Sequence, residues 1–497
     1  IAFKHKVVPL YVYEGKIVVA IENPMDWQVT DALSFNINKY VEPVMASPED
    51  INWALQFYYS SEDIEESIAD LDEELDDDED HDDYDSSIFS AAETSQVTDN
   101  VVVRIVNKII EDAHRQKVSD IHIEPGTGKQ KVTVRFRKDG TLATYYKFPS
   151  KYRAVFVSRI KVMAHLDISN KNKPQDGKIN MRHFAPVDVE LRVATIPTSG
   201  GIEDVVIRLL SGGKCMPVNA IGLSSGNLDR LLDAVSKPYG LFLVCGPTGS
   251  GKSTTLHSVL NYLNTSERKI WTAEDPVEIT QAGLRQVEVN EKVGMTFSGA
   301  MRAFLRADPD IIMVGEMRDT ETAGTAIEAS LTGHFVLSTL HTNSAAETVV
   351  RLLDMDMDPF NFADAITGIL SQRLTKTLCT SCKKPYKPDE KEISFLATEF
   401  CRDTVEGGVH AQPPQALVDR QIEDWKQEFG QSGEFTLYKA PGCKDCLESG
   451  YRGRMGVHEL LIANPEIKKM ILRRAPAADI HKEAIAGGMR TKRQDGI

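Results

Sequence analysis

The sequence predicts a multidomain α/β protein: a small α/β module first, a middle α/β domain, and a larger domain built around a glycine-rich loop. Three observations carry this. The apolar run Tyr239-Gly-Leu-Phe-Leu-Val-Cys245 leads into Gly246-Pro-Thr-Gly-Ser-Gly-Lys-Ser-Thr254 and then into the helix-like Thr255-Leu-His-Ser-Val-Leu-Asn-Tyr-Leu263. Alternating strand-like and periodic helix-like segments succeed one another along most of the chain. Two Cys-x-x-Cys pairs, Cys379/Cys382 and Cys443/Cys446, enclose a turn-rich insertion.

Residues 1–60 read as the first module. Val7 to Tyr13 and Lys16 to Ile21, joined by Glu14-Gly15, predict a hairpin, and Ser47 ahead of Pro48 predicts a capped helix start. Residues 61–99 read as an acidic, disordered linker. Glu62 to Asp85 holds sixteen acidic residues and no Lys or Arg, which equals the whole formal net charge of −16. Such density self-repels and lacks the apolar content to fold; a docking tail for a basic partner is the other reading. The remaining chain is neutral overall, so composition gives no nucleic-acid footprint, and no nucleic-acid partner is expected.

Residues 100–212 read as the middle domain. Val101 to Lys117 is periodic like a helix, and Ser119 to Pro125 alternates like a strand. Val132 to Arg137 and Thr141 to Tyr146 flank an Asp139-Gly140 turn, Tyr152 to Leu166 predicts a helix, and Val187 to Ile196 and Asp204 to Leu210 predict strands. Residues 213–497 form the last domain. With 497 residues, about three domains fit a soft prior of ~150 residues each. No segment reaches the ~20 apolar residues of a membrane span. The chain begins at Ile1 and ends at Ile497 without terminal signals, and both ends read as cut.

The glycine-rich loop matches G-x-x-x-x-G-K-[ST] in a strand–loop–helix context. Gly246, Pro247, Thr248, Gly249, Ser250, Gly251, Lys252, Ser253 and Thr254 are the expected nucleotide cradle. The glycines let backbone N–H groups turn inward, and the following helix adds its positive dipole end. Lys252 reaches toward β- and γ-phosphates, and the Ser253 hydroxyl suits Mg²⁺. Thr272-Ala-Glu-Asp-Pro-Val-Glu278 follows an apolar strand. Its Glu274 and Glu278 can orient an attacking water and Asp275 can hold Mg²⁺, although a solvated acidic turn fits equally. Ala307 to Glu316 resembles a Walker B strand with Gly315 where an Asp usually stands, which makes Glu316 the candidate for water polarisation. No base-reading signal of a GTPase is present, so ATP is favoured. Thr332 to Asn343 places His334 and His341 at the two ends of one strand, and His341 with Thr339 and Asn343 suits nucleotide sensing.

The four paired cysteines suit one tetrahedral ion, and structural Zn²⁺ is the expected occupant. Redox thiols or plain buried cysteines are the alternatives. Cys215, Cys245 and Cys401 read as packing residues.

These boxes, in this order, together with Ser119-Asp-Ile-His-Ile-Glu-Pro125 and Val134-Arg-Phe-Arg-Lys-Asp-Gly140, resemble the type II secretion and type IV pilus assembly ATPases. The resemblance covers the chain except the acidic linker. It implies a RecA-like ATPase domain with a tetracysteine zinc-binding subdomain at 379–446. It also implies a homohexameric motor, cytoplasmic and peripheral at the inner membrane, that acts on a platform protein to assemble pilins or pseudopilins. It further implies that Arg192 and Arg208 contribute charge to the nucleotide; surface arginines on strands are the plain alternative. The Ser199-Gly-Gly-Ile-Glu-Asp204 turn between them is one residue longer than the family pattern. Residues 1–60 resemble the later part of the family's N-terminal domain, which in some relatives binds cyclic di-GMP through motifs that would precede Ile1. A regulatory nucleotide-binding module with incidental turnover is the competing function. Between pilus assembly and type II secretion the sequence leans only slightly to the pilus.

Overall fold

The computed structural model of the chain describes residues 6–13, 16–25, 27–37, 39–48, 50–51, 95–210, 215–405, 412–430, 434–446 and 448–497. The chain divides into two compact units, Ile1–Gly212 and Gly213–Ile497.

In the first unit, strands β1 (Val7–Tyr13) and β2 (Lys16–Ile21) form the expected hairpin, and β3 (Val41–Met45) adds parallel to β2. Val7, Val19, Ile21, Leu33 and Val41 make its small core. The Ser47 hydroxyl accepts from Asp50 N–H at 3.0 Å, as a cap should. Residues 61–94 of the expected linker lie outside the described residues. Its last part is corrected: 95–99 belong to the helix Ser95–Arg115. Val97 continues the four-residue spacing of Val101, Ile105 and Ile109, so the apolar stripe reaches further back than the end of the acidic run suggests.

The same unit holds a six-stranded sheet in the order β6-β5-β4-β9-β8-β7, with β4 Asp120–Pro125, β5 Val132–Lys138, β6 Thr141–Phe148, β7 Gln175–Asn180, β8 Glu190–Thr198 and β9 Ile202–Leu210. One face buries Ile121, Ile123, Val134, Val193, Val205 and Ile207 against Ile105, Ile109 and Phe156 of two helices. The opposite face carries the polar residues of the alternation. β7 was not anticipated: Gln175-Asp-Gly-Lys-Ile-Asn180 offers one apolar side chain, Ile179, and is recruited by pairing with β8.

The second unit is built on a seven-stranded sheet in the order β12-β11-β13-β14-β10-β15-β18. Its strands are β10 Gly240–Cys245, β11 Ile270–Glu274, β12 Arg285–Glu288, β13 Ile311–Val314, β14 Phe335–Leu340, β15 Ile366–Leu378 and β18 Tyr451–Ile462. All neighbours are parallel except β15 and β18. The chain leaves β10 for one side of the sheet and returns to its other side with β15, so the order reverses at β10. That reversal opens a crevice at the carboxyl end of β10, where the glycine-rich loop begins. Every residue of β10 is buried, Cys245 included. Between β15 and β18 the insertion holds the short pair β16 (Lys384–Tyr386) and β17 (Leu437–Lys439) and the helices Glu390–Arg402 and Gln415–Phe429. No helix among the described residues is long and apolar enough to cross a membrane.

The final helix, Lys492–Gly496, is fixed by a capping box between Thr491 and Gln494. Its Asp495 Oδ2 accepts from the His458 N–H at 2.8 Å. Burial pushes the His458 imidazole down to about 4 and raises the Asp495 carboxyl, against the His458 amide and Arg490, which lower it. An imidazole depressed in the folded state leaves the unfolded chain binding more protons. Its contribution is therefore complete above ~6.5 and is lost as pH falls toward about 4. The raised Asp495 carboxyl works in the opposite sense and offsets part of the loss. We expect thermal stability to fall between pH 7 and pH 4.5, with a shallower slope in His458→Phe, which keeps the volume and cannot take a proton. Melting curves of the two proteins with parallel pH dependence would contradict this.

Candidate active site

Gly246 starts the loop because nothing larger fits. Its φ is 152°, and a Cβ there would lie 2.5 Å from Gln372 O and 2.6 Å from Ser250 Oγ. Gly251 closes the loop at φ 86°, beside Gln372 Nε2. The helix Lys252–Leu263 follows at once, so its first N–H groups and dipole end face the loop. Pro247, Thr248 and Gly249 are exposed at the crest, while Ser250 is buried and Ser253 is exposed on the first helical turn. Lys252 Nζ donates to Gly246 O at 2.9 Å and Pro247 O at 3.3 Å. Incoming phosphate oxygens would take over these donors. Burial lowers the Lys252 ammonium and the nearby Glu316 charge partly restores it. Lysine and glutamate therefore share one electrostatic site.

Glu316 stands two residues beyond β13. Its Oε2 is 3.4 Å from His341 Nε2, and its Oε1 is paired with Arg318. Thr339 on β14 holds the preceding turn by donating to Gly315 O at 2.6 Å. At Gly315 a Cβ would lie 3.2 Å from Ala273 O and 3.5 Å from Glu274 Cα, a tight fit against the end of β11. Of the two histidines, His341 joins the site, whereas His334 sits at the other end of β14 with its Nδ1 3.0 Å from Ala329 O.

The acidic Thr272 to Glu278 box divides. Glu274 is buried, and its carboxylate accepts from Thr272 Oγ1 at 2.6 Å, Gln286 Nε2 at 3.0 Å and His257 Nε2 at 3.0 Å. Burial alone would raise this carboxyl; the three hydrogen bonds outweigh it and hold it low. Glu274 is therefore anchored, where the sequence suggested an open carboxylate. Asp275 and Glu278 are exposed on the loop that follows, and Asp275 adds to the field at Arg318.

The four paired cysteines converge. Their sulfurs all lie within 4.8 Å of one another, with Cys379 and Cys443 at 3.9 Å, Cys382 and Cys446 at 3.9 Å, and Cys443 and Cys446 at 3.7 Å. A tetrahedron of thiolates at ~2.3 Å from one ion has edges of about 3.8 Å. Burial raises the Cys446 thiol, but the N–H groups of Cys443 and Gly450 overcome it and bring it to about 7.

Residues 95–497 match the family described as type II/IV secretion system protein, and residues 1–65 match the MshEN domain. The chain belongs to the type II/IV secretion system protein family. It is similar to the type IV pilus assembly ATPase PilB of Myxococcus xanthus (strain DK1622), 38% identical over 500 residues, 100% of this chain and 82% of that protein. The type II secretion system protein E of Pseudomonas aeruginosa is 41% identical over 395 residues, 79% of this chain and 72% of that protein. The Legionella pneumophila ATPase DotB structure superposes with a TM-score of 0.53 over 79% of this chain and 90% of that one; at 20% identity this shows a shared fold.

In this secretion-family chain Arg192 and Arg208 lie outside the nucleotide unit and are cross-strand partners on β8 and β9. The register runs unbroken from Glu190 opposite Leu210 to Thr198 opposite Ile202. Gly200 and Gly201, both with positive φ, lie in the turn between the two strands. Lys178, Arg192, Arg208, Asp120 and Arg137 occupy one row across the sheet. Arg208 Nε donates to Asp120 Oδ1 at 3.0 Å, and its side chain remains 55% exposed.

Sequence reasoning missed three residues. Gln372 Nε2 donates to Ser250 O at 2.7 Å and its Oε1 accepts from Thr255 Oγ1 at 2.8 Å, so it clamps the phosphate loop. Its signal was a polar Ser371-Gln372 pair inside an otherwise apolar strand start. Arg318 stands two residues beyond Glu316 and pairs with it, and an exposed arginine there gives no local sign of that role. His257 looked like one more position of an amphipathic helix.

Proposed function

We propose that this chain is an ATP-hydrolysing motor that assembles type IV pilins, acting as a homohexamer on an inner-membrane platform protein from the cytoplasmic face. One observation carries the reading: a buried lysine on a strand–loop–helix phosphate cradle shares its electrostatic site with a glutamate at an adjacent strand end. A sensor needs the cradle; a hydrolase also needs the glutamate. The similarity to the pilus assembly relative runs along the whole chain, which favours pilins over the pseudopilins of a type II system. The MshEN match at residues 1–65 agrees with the first module being the later part of the family's N-terminal domain, for which cyclic di-GMP is the candidate ligand through motifs that would precede Ile1.

In this mechanism the loop amides and Lys252 hold the β- and γ-phosphates. Ser253 and Asp275 would hold Mg²⁺, which supplies charge neutralisation when bound. Glu316 orients the attacking water, and His341 beside it reports whether the γ-phosphate is in place. Arg192 and Arg208 neutralise charge developing on the γ-phosphoryl oxygens. Cys379, Cys382, Cys443 and Cys446 would hold Zn²⁺, a structural ion that ties both ends of the 383–442 insertion to the ends of β15 and β18.

Lys252→Ala is expected to abolish nucleotide binding. Glu316→Gln should keep ATP bound while kcat falls about 100-fold or more, the scale of lost acid–base assistance. Turnover at the wild-type rate in Glu316→Gln would remove it from the water-orienting role.

Arg192→Ala or Arg208→Ala should lower kcat at least about tenfold with ATP affinity retained, a conservative bound for such arginines. Wild-type turnover in both would leave them as surface cations and favour a sensor over a motor.

Elemental analysis should find one Zn²⁺ per chain. Cys446→Ser should reduce that occupancy and lower the melting temperature, because metal binding and local folding are coupled. Four titratable native thiols with no zinc would exclude the metal site.

A further inference from the structure

We propose that His257 is a positioning residue for ATP hydrolysis: it fixes the Glu274 carboxylate so that one acceptor site, on Oε2, is left for a water at the end of β11. This rests on the ATPase reading above. His257 lies on the helix that begins at Lys252, and its ring is 1% exposed. A buried, fully engaged histidine five positions after the phosphate-loop lysine joins the cradle to the neighbouring strand end.

The hydrogen bonds determine its tautomer. The Gln281 amide faces His257 O at 3.0 Å, and a carbonyl only accepts, so the group facing it is the NH₂. The same Nε2 lies 2.8 Å from His257 Nδ1, which must then accept. The ring proton is therefore on Nε2, where it is donated to Glu274 Oε2 at 3.0 Å. Glu274 Oε1 already accepts from both Thr272 and Gln286, which fills its two lone-pair directions. Among the described residues Oε2 has only the His257 donor, so a single acceptor direction remains. Removing His257 would let the carboxylate rotate and lose that orientation.

The backbone places this oxygen usefully. Glu274 ends β11, Gly315 packs on its Cα, and Glu316 follows. The same network also fastens the exposed acidic loop, because Gln281 N–H donates to Gln286 Oε1 at 2.8 Å and Gln286 Nε2 donates to Ile279 O at 2.8 Å.

The test compares ATPase kinetics and melting temperatures of wild type, His257→Phe, His257→Gln, Glu274→Gln and the His257→Phe/Glu274→Gln double variant. His257→Phe should lower kcat about fivefold or more with KM within about twofold, since orientation is lost and binding is not. His257→Gln, whose amide can donate, should recover most of the rate. In the Glu274→Gln background, His257→Phe should add no further loss, because its effect passes through that carboxylate. If His257→Phe does not fold, His257→Asn, too short to reach Glu274, takes its place. Wild-type kcat in His257→Phe, or losses that simply multiply in the double variant, would overturn the proposal. A folded wild-type protein with no turnover would instead overturn the ATPase reading.

Discussion

The phosphate loop is shaped against one residue of β15, Gln372, whose carbonyl and side-chain amide both meet it. Gly246 passes so close to Gln372 O that a single added carbon would collide. The Gln372 side chain then holds Ser250 O and Thr255 Oγ1, so the loop is gripped at its buried Ser250 and at the first turn of its helix. β15 is far away in sequence and adjacent to β10 in the sheet. Forming the cradle therefore requires the β10–β15 pairing, and this pairing sets the strand order on both sides of it.

The neighbouring chemistry also depends on strand ends that the sheet brings together. Gly315 lies against the end of β11, and Glu316 after it is steered by Arg318 and His341 while Thr339 holds the Gly315 carbonyl. Three strand ends thereby contribute to one electrostatic site. The cost of burying Lys252 is offset by Glu316, and burial of Glu274 is offset by three donors. Each buried charge depends on a partner from another segment, which is why such a site does not exist in isolated pieces of the chain.

The first unit follows a different constraint. Its sheet has one apolar face fully covered by helices and one polar face on which charges line up by register. The β8–β9 pairing sets Arg192 opposite Arg208, with Gly200 and Gly201 at positive φ in the turn that joins the strands and fixes their register. Asp120 then orients Arg208 without burying it.

The sequence by itself determined the elements whose signals are local. The strand–loop–helix around Lys252, the paired cysteines, the alternation of β4, β5 and β9 and the apolar run of β10 all follow from spacing and residue type. Local signals also pointed to Glu316 and His341, an acid beyond one apolar strand and a histidine just beyond the next, which the sheet brings to 3.4 Å. Only the tertiary structure decided what depends on distant pairing. β7 has almost no apolar alternation and exists because β8 offers it hydrogen-bond partners. Gln372 and His257 carry no local mark of their roles, since each acts on a segment it meets only in the folded sheet. Glu274 reads in sequence like Asp275 beside it, yet β11 ends at Glu274 and holds it among three donors from other segments, whereas Asp275 stands on the exposed loop that follows.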